Sequence, residues 1–553
     1  MRKQCWSKGL SIMVFIQVLL NGYQTVFAQG NLPSEEVTIN KVYRPLLADA
    51  VKIASPAVPA AIDSASTLLT YDVAPHVIEV PFVPAEIKPV ALVALKPEPT
   101  QNNFIKAGIG MQLTPLLDVH LSNGINEKFS YGLNLNHLSS SGSKINFQDQ
   151  SHTGGSLYGT SYFKNTSLSA NLSYDRDVYH FYGFNADFFD SLQLLSKNLL
   201  KQQFQNTALY LGFKNTKSTK SDINYNFDFN FHSLNHQLFG LNDSTQKENY
   251  FEFDFGIAKQ IQKIHSAHLD FNFKREDFRS HTDTSINYFS ILPNYQMNTK
   301  KAFLKVGVNV SVVGNEVNLF PEVEASYKLL DDYLIPYLGI HGNEVPNTMM
   351  AIAAVNPFIN TYQVATSKIL TGYLGFRGSY GNNITYNAKL NYTIHKNLPV
   401  YLPVNINPTY FAESFYSKAN IIGVNAEVGF KQSERLNLML SGEANSYDMN
   451  GSDEPWGIPK SKLTFAANYN IQNKIFVQAD IFGQSGVSTI IPADTISTQL
   501  KGFVDLNLST TYNYKENIAL WLSFNNIAAM KQREFYNYQY YGFRVMAGAI
   551  FKF

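Results

Sequence analysis

The stretch INYNFDFNF, residues 223–231, carries an apolar side chain at every odd position and a polar one at every even position. Successive side chains of a β-strand point to opposite faces, so this stretch predicts a strand with one largely aromatic face and one face of amides and acid. The same alternation recurs in FEFDFGI (251–257), HLDFNFK (268–274) and the closing GFRVMAGAIFKF (542–553). From Phe104 onward the chain is therefore predicted to be all-β.

The composition narrows the function classes. The 553 residues carry a net charge of +1, which argues against a nucleic-acid-binding surface. Aromatic residues make up 14% of the chain, a content that favours strands. A mean hydropathy of −0.16 fits a soluble globule, and it fits a transmembrane barrel equally well because only half of each barrel strand faces lipid.

Residues 1–28 predict a secretory signal peptide. Arg2 and Lys3 precede a short apolar core, residues 10–20, and the small residues before position 29 predict cleavage after Ala28. The alternative, a transmembrane helix, needs about 20 apolar residues, and this core is shorter. Cys5 is the only cysteine, so the cleaved chain is predicted to have no disulfide, cysteine nucleophile or thiolate metal site.

Residues 29–103 form a segment rich in proline and alanine, exemplified by VPFVPAEIKPVALVALKPEP (80–99). Proline removes a backbone donor and breaks both helices and central strands. We expect an extended periplasmic segment, which could serve as a partial plug.

Residues 104–553 are predicted to form a transmembrane antiparallel up-and-down β-barrel of about 22 strands, because short polar links alternate with longer loops. The longer loops include 233–248 and 396–412, and the stretch 410–430 reads either as one long strand or as two. In hydrocarbon every backbone polar group must be paired, which strands achieve only in a closed barrel. The aromatic face is therefore predicted to meet lipid and the polar face to line a wet lumen.

The charged residues of the polar face are candidate lumen-lining residues. Their acids outnumber their bases, so the lumen either favours cations or is simply a solvated wall. They are Asp228, Glu252, Asp254, Asp270, Lys274, Glu322, Glu324, Lys328, Glu427 and Glu443.

The last strand places Phe551 and Phe553 on the aromatic side, and Phe553 is the final residue. This is the pattern that the barrel assembly machinery reads; the alternative is an ordinary aromatic at the membrane interface. The preceding turn Asn525-Asn526-Ile527, a tyrosine-rich loop and the final strand together resemble the closing hairpin of TonB-dependent receptors, in the Asn- and Tyr-rich style of Bacteroidota members.

This resemblance implies a transport barrel in the outer membrane of a Gram-negative bacterium, with TonB or another periplasmic protein as partner. A receptor of this family has a globular plug before its barrel, and residues 29–103 show no plug-like pattern. The stretch EEVTI lies where a TonB box would lie, and its alternative interpretation is an ordinary extended segment. Its residues are Glu35, Glu36, Val37, Thr38 and Ile39.

Searches for catalytic chemistry give little. HSLNH (232–236) and HSAH (265–268) have metal-like histidine spacing. His265 and His268 are three apart, and residues three apart on a strand point to opposite faces. His232 and His236 fall in a predicted loop, where they are interpreted as ordinary polar residues at its end. Phosphate loops, nucleophile elbows and zincin helices are not found in the sequence. We expect no enzyme activity, no cofactor and no metal.

Two functions remain open. The first is an outer-membrane transport protein that passes or captures a nutrient solute of unknown identity. The second is a structural or assembly barrel that docks periplasmic or secretion partners through residues 29–103. A barrel of this size is normally closed; the closure comes from that segment, from inward-folded loops such as FFDSLQLLSKNLL (188–200), or from a separate protein.

Overall fold

The computed structural model describes residues 103–124, 128–141, 145–183, 197–239, 244–280, 283–361, 365–406, 409–433, 435–450, 454–491, 496–530 and 533–553. The predicted signal cleavage, the proline-rich segment up to residue 102 and the TonB-box-like stretch lie outside these residues.

The described residues form 27 strands, one short helix and one 3-10 turn. The first half contains β1 (Phe104–Gly110), β2 (Thr114–Ser122), β3 (Phe129–Ser140), β4 (Gln150–Tyr162), β5 (Thr166–His180), the 3-10 helix Lys197–Leu200, β6 (Lys201–Asn215), β7 (Ile223–Leu238), β8 (Ser244–Gln262), β9 (His265–Arg279), β10 (Thr284–Asn298), β11 (Ala302–Val313), β12 (Glu316–Tyr327), β13 (Ile335–Pro346), α1 (Met349–Val355) and β14 (Ile359–Thr361). The second half contains β15 (Thr366–Tyr380), β16 (Ile384–Ile406), β17 (Thr409–Gln432), β18 (Leu436–Met449), β19 (Ser461–Ile471), β20 (Ile475–Gln484), β21 (Val487–Ile491), β22 (Ile496–Leu500), β23 (Phe503–Lys515), β24 (Ile518–Asn525), β25 (Arg533–Phe535), β26 (Tyr538–Gln539) and β27 (Arg544–Lys552).

Twenty-two of these strands form a closed antiparallel barrel, as the sequence predicts. Each pairs with the next barrel strand along the chain, and β1 closes the cylinder on β27 in the register Phe104↔Lys552. Closure leaves no unpaired sheet edge, which is the condition for strands to cross hydrocarbon. Strands β14, β21, β22, β25 and β26 belong to the loops.

The two faces of the barrel wall separate as the alternation predicts. On β7 and β8 the exposed side chains include Phe227, Phe253 and Phe255, and they form an aromatic surface in which the rings of Phe229 and Phe253 lie 4.7 Å apart. The intervening Asp228 points to the opposite face and accepts a hydrogen bond from Tyr210 Oη at 2.6 Å. The apolar face is therefore the outer one, and the polar face lines the lumen.

The barrel has two unlike ends. At the turn end the strands are joined by short links, and the first and last described residues meet, since Phe553 N donates to Asn103 O at 3.0 Å. The β19–β20 turn is typical of this end: Gln472 and Asn473 have φ values of 54° and 57°, the left-handed pair that a tight hairpin requires. The opposite end, the loop end, carries α1 and the small loop strands.

Two predicted loops are wrong. Residues 396–412 are almost entirely strand, because β16 and β17 continue their pairing as far as Ile406↔Thr409. Residues 233–248 likewise belong mostly to β7 and β8, which stay paired as far as Leu238↔Ser244. In both places the strands continue toward the loop end, where side chains such as Leu238 and Val400 are buried. Residues 410–430 lie within the single strand β17.

Candidate functional site: the lumen wall and the closed mouth

The inner wall carries the predicted lumen residues on β7, β8, β9, β12, β17 and β18. Lys274 Nζ lies 3.2 Å from Glu252 Oε1, and Asn272 donates to both Glu252 (3.0 Å) and Asp254 (2.5 Å). Asp270 accepts a hydrogen bond from Asn294 at 3.2 Å. These contacts link neighbouring strands into a polar ladder around part of the lumen.

The same wall continues across β11, β12 and the strands beyond. Lys305, which sequence reasoning did not single out, places its Nζ 2.8 Å from Glu322 Oε1. Glu324, Glu427 and Glu443 lie on the inner face of their strands. Lys328 is different: it follows the end of β12 and pairs with Asp332 at 2.7 Å, so it lies at the turn end and not along the wall.

Several inner-wall tyrosines lie flat across a glycine of the neighbouring strand. A Cβ placed on Gly339 would meet Tyr373 Oη at 2.5 Å, and one on Gly375 would meet the Tyr337 ring at 2.7 Å. Absence of a side chain is what lets these rings fold down onto the sheet. The paired glycines thereby keep large aromatic side chains close to the wall.

The mouth at the loop end is filled by the β13–β15 loop. Within this loop, Phe358 is 1% exposed and stacks on Tyr538 with ring centroids 3.8 Å apart. It also makes edge contacts with Tyr182 and Phe535, at 5.5 Å and 6.2 Å. Phe358 therefore joins the β5–β6 loop, the β13–β15 loop and the β24–β27 loop into one aromatic cluster.

Helix α1 anchors the same loop to the wall. Its side chains Met349 and Ile352, with Ile359 just beyond, are buried against Phe204 of β6 and Tyr401 of β16. Strands β6 and β16 lie on different sides of the barrel, so the helix spans part of the opening. Hydrophobic packing of this kind is the main force holding a short helix in place.

A fully buried carboxylate, Glu248 on β8, fixes the start of α1. Glu248 accepts hydrogen bonds from the backbone N–H groups of Met349 and Met350, and its Oε1 lies 3.0 Å from His232 Nε2. Thr348 is the N-cap residue of α1, and its Oγ1 accepts a hydrogen bond from Ala351 N at 3.1 Å. Two free helix N–H groups thus find an acceptor on the barrel wall, which couples the loop to the wall.

The β24–β27 loop is tied to its neighbours by tyrosine hydroxyls. Tyr182 Oη donates to Gln539 O at 3.0 Å, Gln148 Nε2 donates to the same carbonyl at 2.6 Å, and Tyr541 Oη donates to Gln148 O. Burial raises the pKa of Tyr538 and of Tyr541 well above the usual value, so both phenols stay neutral and uncharged in the mouth. In the described residues, the mouth is closed by packed loops.

Closure of the barrel by inward-folded loops, one of the three possibilities raised by the sequence, is therefore present in the described residues. Residues 188–196 of the predicted amphipathic stretch lie outside the described residues, and Lys197–Leu200 form a 3-10 turn in which Leu200 is buried. Among the described residues, the closing elements α1 and Phe358 come from a loop that sequence reasoning did not single out.

The histidine pairs serve structural roles. His265 and His268 lie on opposite faces of β9, where they contact Tyr295 Oη (2.5 Å) and Ser266 Oγ (2.9 Å). His236 is buried against the Phe204 ring at 4.2 Å. Over the described ranges, no group of three or more His, Cys, Asp or Glu side chains is placed to hold a metal ion. Within those same ranges, no helix is long and apolar enough to cross a bilayer.

Solved structures with this architecture include the FrpB iron transporter from Neisseria meningitidis, with a TM-score of 0.64 and 9% identity over 82% of this chain and 82% of that one. The fold is that of a TonB-dependent-receptor barrel. The ferric-catecholate import receptor Fiu from E. coli K12 gives 0.62 and 10%, and the siderophore receptor PiuA from Acinetobacter baumannii gives 0.61 and 11%, each over 82% of both chains. The sequence matches no protein-family model and no curated protein.

These neighbours are named as an iron transporter and as siderophore or ferric-catecholate receptors. At this level of identity they establish the fold of the barrel and nothing about its solute. The resemblance of the closing hairpin to TonB-dependent receptors is therefore confirmed for the architecture.

Sequence reasoning missed the residues that close the mouth. Phe358, Met349 and Ile352 lie in MMAIAAVNPF (349–358), a short apolar run inside residues 342–366, which the alternation of short and long links predicts to be another of the longer loops. An apolar run in an exposed loop is unusual, because loops are normally polar. The apolar run 349–358 was therefore a signal from which packing of this loop could have been predicted. Glu248 gave none, because it sits among polar residues of the same strand.

Proposed function

We propose that this protein is an outer-membrane transport barrel that passes or captures a nutrient solute through its lumen. The observation that carries the proposal is a polar, charged inner wall closed at one end by loops packed around Phe358. A barrel that only served as a scaffold would not need a polar wall sealed by contacts from three separate loops.

The barrel would sit with its loop end outside the cell and its turn end in the periplasm. The short links at the turn end and the longer elements at the loop end support this orientation. Residues 29–103 would then lie in the periplasm, where EEVTI (35–39) could meet TonB or another periplasmic protein. Exposed Phe551 and Phe553, whose rings lie 5.5 Å apart, would present the signal for the barrel assembly machinery.

The neighbours named as iron transporters and siderophore receptors make an iron chelate the first solute to test. The wall adds a physical constraint. Its acids, among them Asp228, Asp254 and Asp270, outnumber the bases facing them, which favours cationic or neutral solutes over strongly anionic ones. A panel should therefore contain chelates of different net charge.

Single-channel recording in planar bilayers tests the proposal. The full chain, a chain lacking residues 29–102 and a Phe358→Ala variant of each would be compared, with folding verified by heat-modifiable migration in gels. We expect a large, cation-selective pore in at least the variant that lacks both closures. If none of the four folded proteins conducts and none binds a chelate, transport is refuted and a docking barrel becomes the better account.

A further inference from the structure

A row of hydrogen-bond donors crosses the outer face of the barrel near the loop end. Strand register aligns Arg176 of β5 with Gln205 of β6, Gln205 with Asn235 of β7, Asn235 with Lys247 of β8, and Lys247 with Arg279 of β9. We call these five residues the donor row. It contains three cations and no acid.

The donor row lies just above the lipid-facing aromatic surface. Phe251 lies four residues from Lys247 on the same outer face of β8, and its ring packs 4.8 Å from that of Phe231. Four residues of strand span about 13 Å, which a tilt of about 45° reduces to about 9 Å along the membrane normal. This height above the apolar band is that of lipid head groups.

Among the described residues, the cationic end of the row meets an acid at Asp277, which interacts electrostatically with Arg279. Lys247 and Arg279 are exposed and directly opposite each other, and like charges in that position destabilise a sheet. Neither forms an ion pair with another described residue. Asp277 is itself held by Arg275 (2.9 Å) and by Ser285 Oγ (2.5 Å). An external anion between Lys247 and Arg279 would remove the repulsion.

A cavity of about 470 Å³ adjoins the other end of the row. It opens on the outer face of β1–β5, and Val178, two residues beyond Arg176 on the same face, forms part of its lining together with Pro115 and Ser151. Lys197 and His180 also line it, and Lys197 Nζ pairs with Asp149 Oδ1 at 2.8 Å. The cavity mixes apolar and hydroxyl groups, as expected of a site for an amphiphile.

We infer that the donor row binds the phosphate groups of phosphorylated lipid head groups in the leaflet that surrounds the loop end. The aromatic surface fixes the height of the lipid, the cations supply the charge complementarity, and the amides of Gln205 and Asn235 donate between them. Basic residues grouped beside a membrane bind anionic lipids in this way.

Native mass spectrometry of the full chain with added lipid A tests this inference. Lys247→Gln/Arg279→Gln should weaken binding of diphosphorylated lipid A about 30-fold, because each basic residue near a charged surface contributes on the order of a fivefold change. Lys217→Gln/Lys220→Gln, two exposed lysines in the β6–β7 turn at the opposite end, is the matched control and should change binding less than twofold.

Three further measurements complete the test. Lys247→Arg/Arg279→Lys keeps both charges and should retain binding. Lipid A without phosphates should bind the unaltered protein as weakly as the diphosphorylated form binds the double glutamine variant. Millimolar inorganic phosphate should not displace the lipid. The inference is overturned if the two glutamine variants lose affinity equally, if phosphate-free lipid binds as well, or if free phosphate competes fully.

Discussion

Replacing Phe358 with alanine should open the mouth of the barrel. Phe358 is 1% exposed and stacks on Tyr538 at 3.8 Å, so its removal deletes the centre of the aromatic cluster. Loss of a buried phenylalanine side chain typically costs about 3–5 kcal/mol. Because 1.4 kcal/mol corresponds to a factor of ten, the population of the undocked loop should rise at least about 100-fold.

A cysteine reporter measures that population. Cys5 is the only native cysteine, so a Cys5→Ser chain carrying Ile352→Cys offers a single buried thiol within α1. Its rate of maleimide labelling reports how often the loop undocks. We expect Phe358→Ala to raise this rate about 100-fold, whereas Ala351→Cys, on the exposed side of α1, should label rapidly with or without Phe358.

Phe163→Ala provides the matched control, because Phe163 is a 56% exposed aromatic in the β4–β5 turn at the other end of the barrel. It should leave the Ile352→Cys labelling rate within twofold. A folded Phe358→Ala barrel whose labelling rate rises less than threefold would show that the aromatic cluster does not hold the loop. The account of the closed mouth would then be wrong.

The remaining predictions concern the contact of Glu248 with α1 and the two faces of the barrel wall. Glu248→Gln should accelerate amide exchange in α1 on the order of tenfold, measured by hydrogen exchange, because a neutral amide caps the helix less strongly than a carboxylate does. Gly339→Ala should destabilise the barrel by about 1–3 kcal/mol in urea unfolding, because the added methyl meets a tyrosine ring. Phe253→Lys should cost about 2–4 kcal/mol against lipid, whereas Asp254→Lys, facing the lumen, should fold in normal yield in refolding assays.

Each of these three predictions has a measurement that could contradict it. Gly372→Ala adds a methyl that meets nothing within 4 Å, so an equal loss for this variant would contradict the tyrosine–glycine explanation. Equal refolding yields for the two lysine variants would contradict the assignment of faces. Unchanged exchange at Met349 and Met350 in Glu248→Gln would show that the carboxylate is dispensable.

The barrel wall was predictable because its signal is local and repeated. In a strand such as 223–231, the alternation of aromatic and polar residues indicates which face is the outer one. A register shifted by one residue would bury charge in lipid and is therefore unfavourable. The errors at 233–248 and 396–412 arose where strands leave the lipid band. There strand residues such as Leu238 and Val400 are buried by packed neighbours instead of facing lipid, so the lipid-facing alternation no longer distinguishes a strand from a loop.

The closure of the mouth could not be predicted in the same way. Phe358, Tyr182 and Tyr538 come from three distant loops, and no sequence period records that they meet. The Glu248 contact with α1 is likewise a tertiary match between a strand and a helix start far along the chain. Such sites depend on three-dimensional packing, for which a single sequence offers only the hint of an apolar loop.

The pairing of β1 with β27 sets the order of events in biogenesis. Phe104 needs Lys552 as its partner, so the cylinder cannot shut until translation has finished and the whole polypeptide has been delivered to the membrane. Until then both edge strands of the growing sheet have unpaired backbone groups that can pair with other chains, and they must be shielded by a chaperone. A premature stop codon that removed only β27 would leave nearly the entire wall without a partner for its first strand, and the cell would be expected to degrade it.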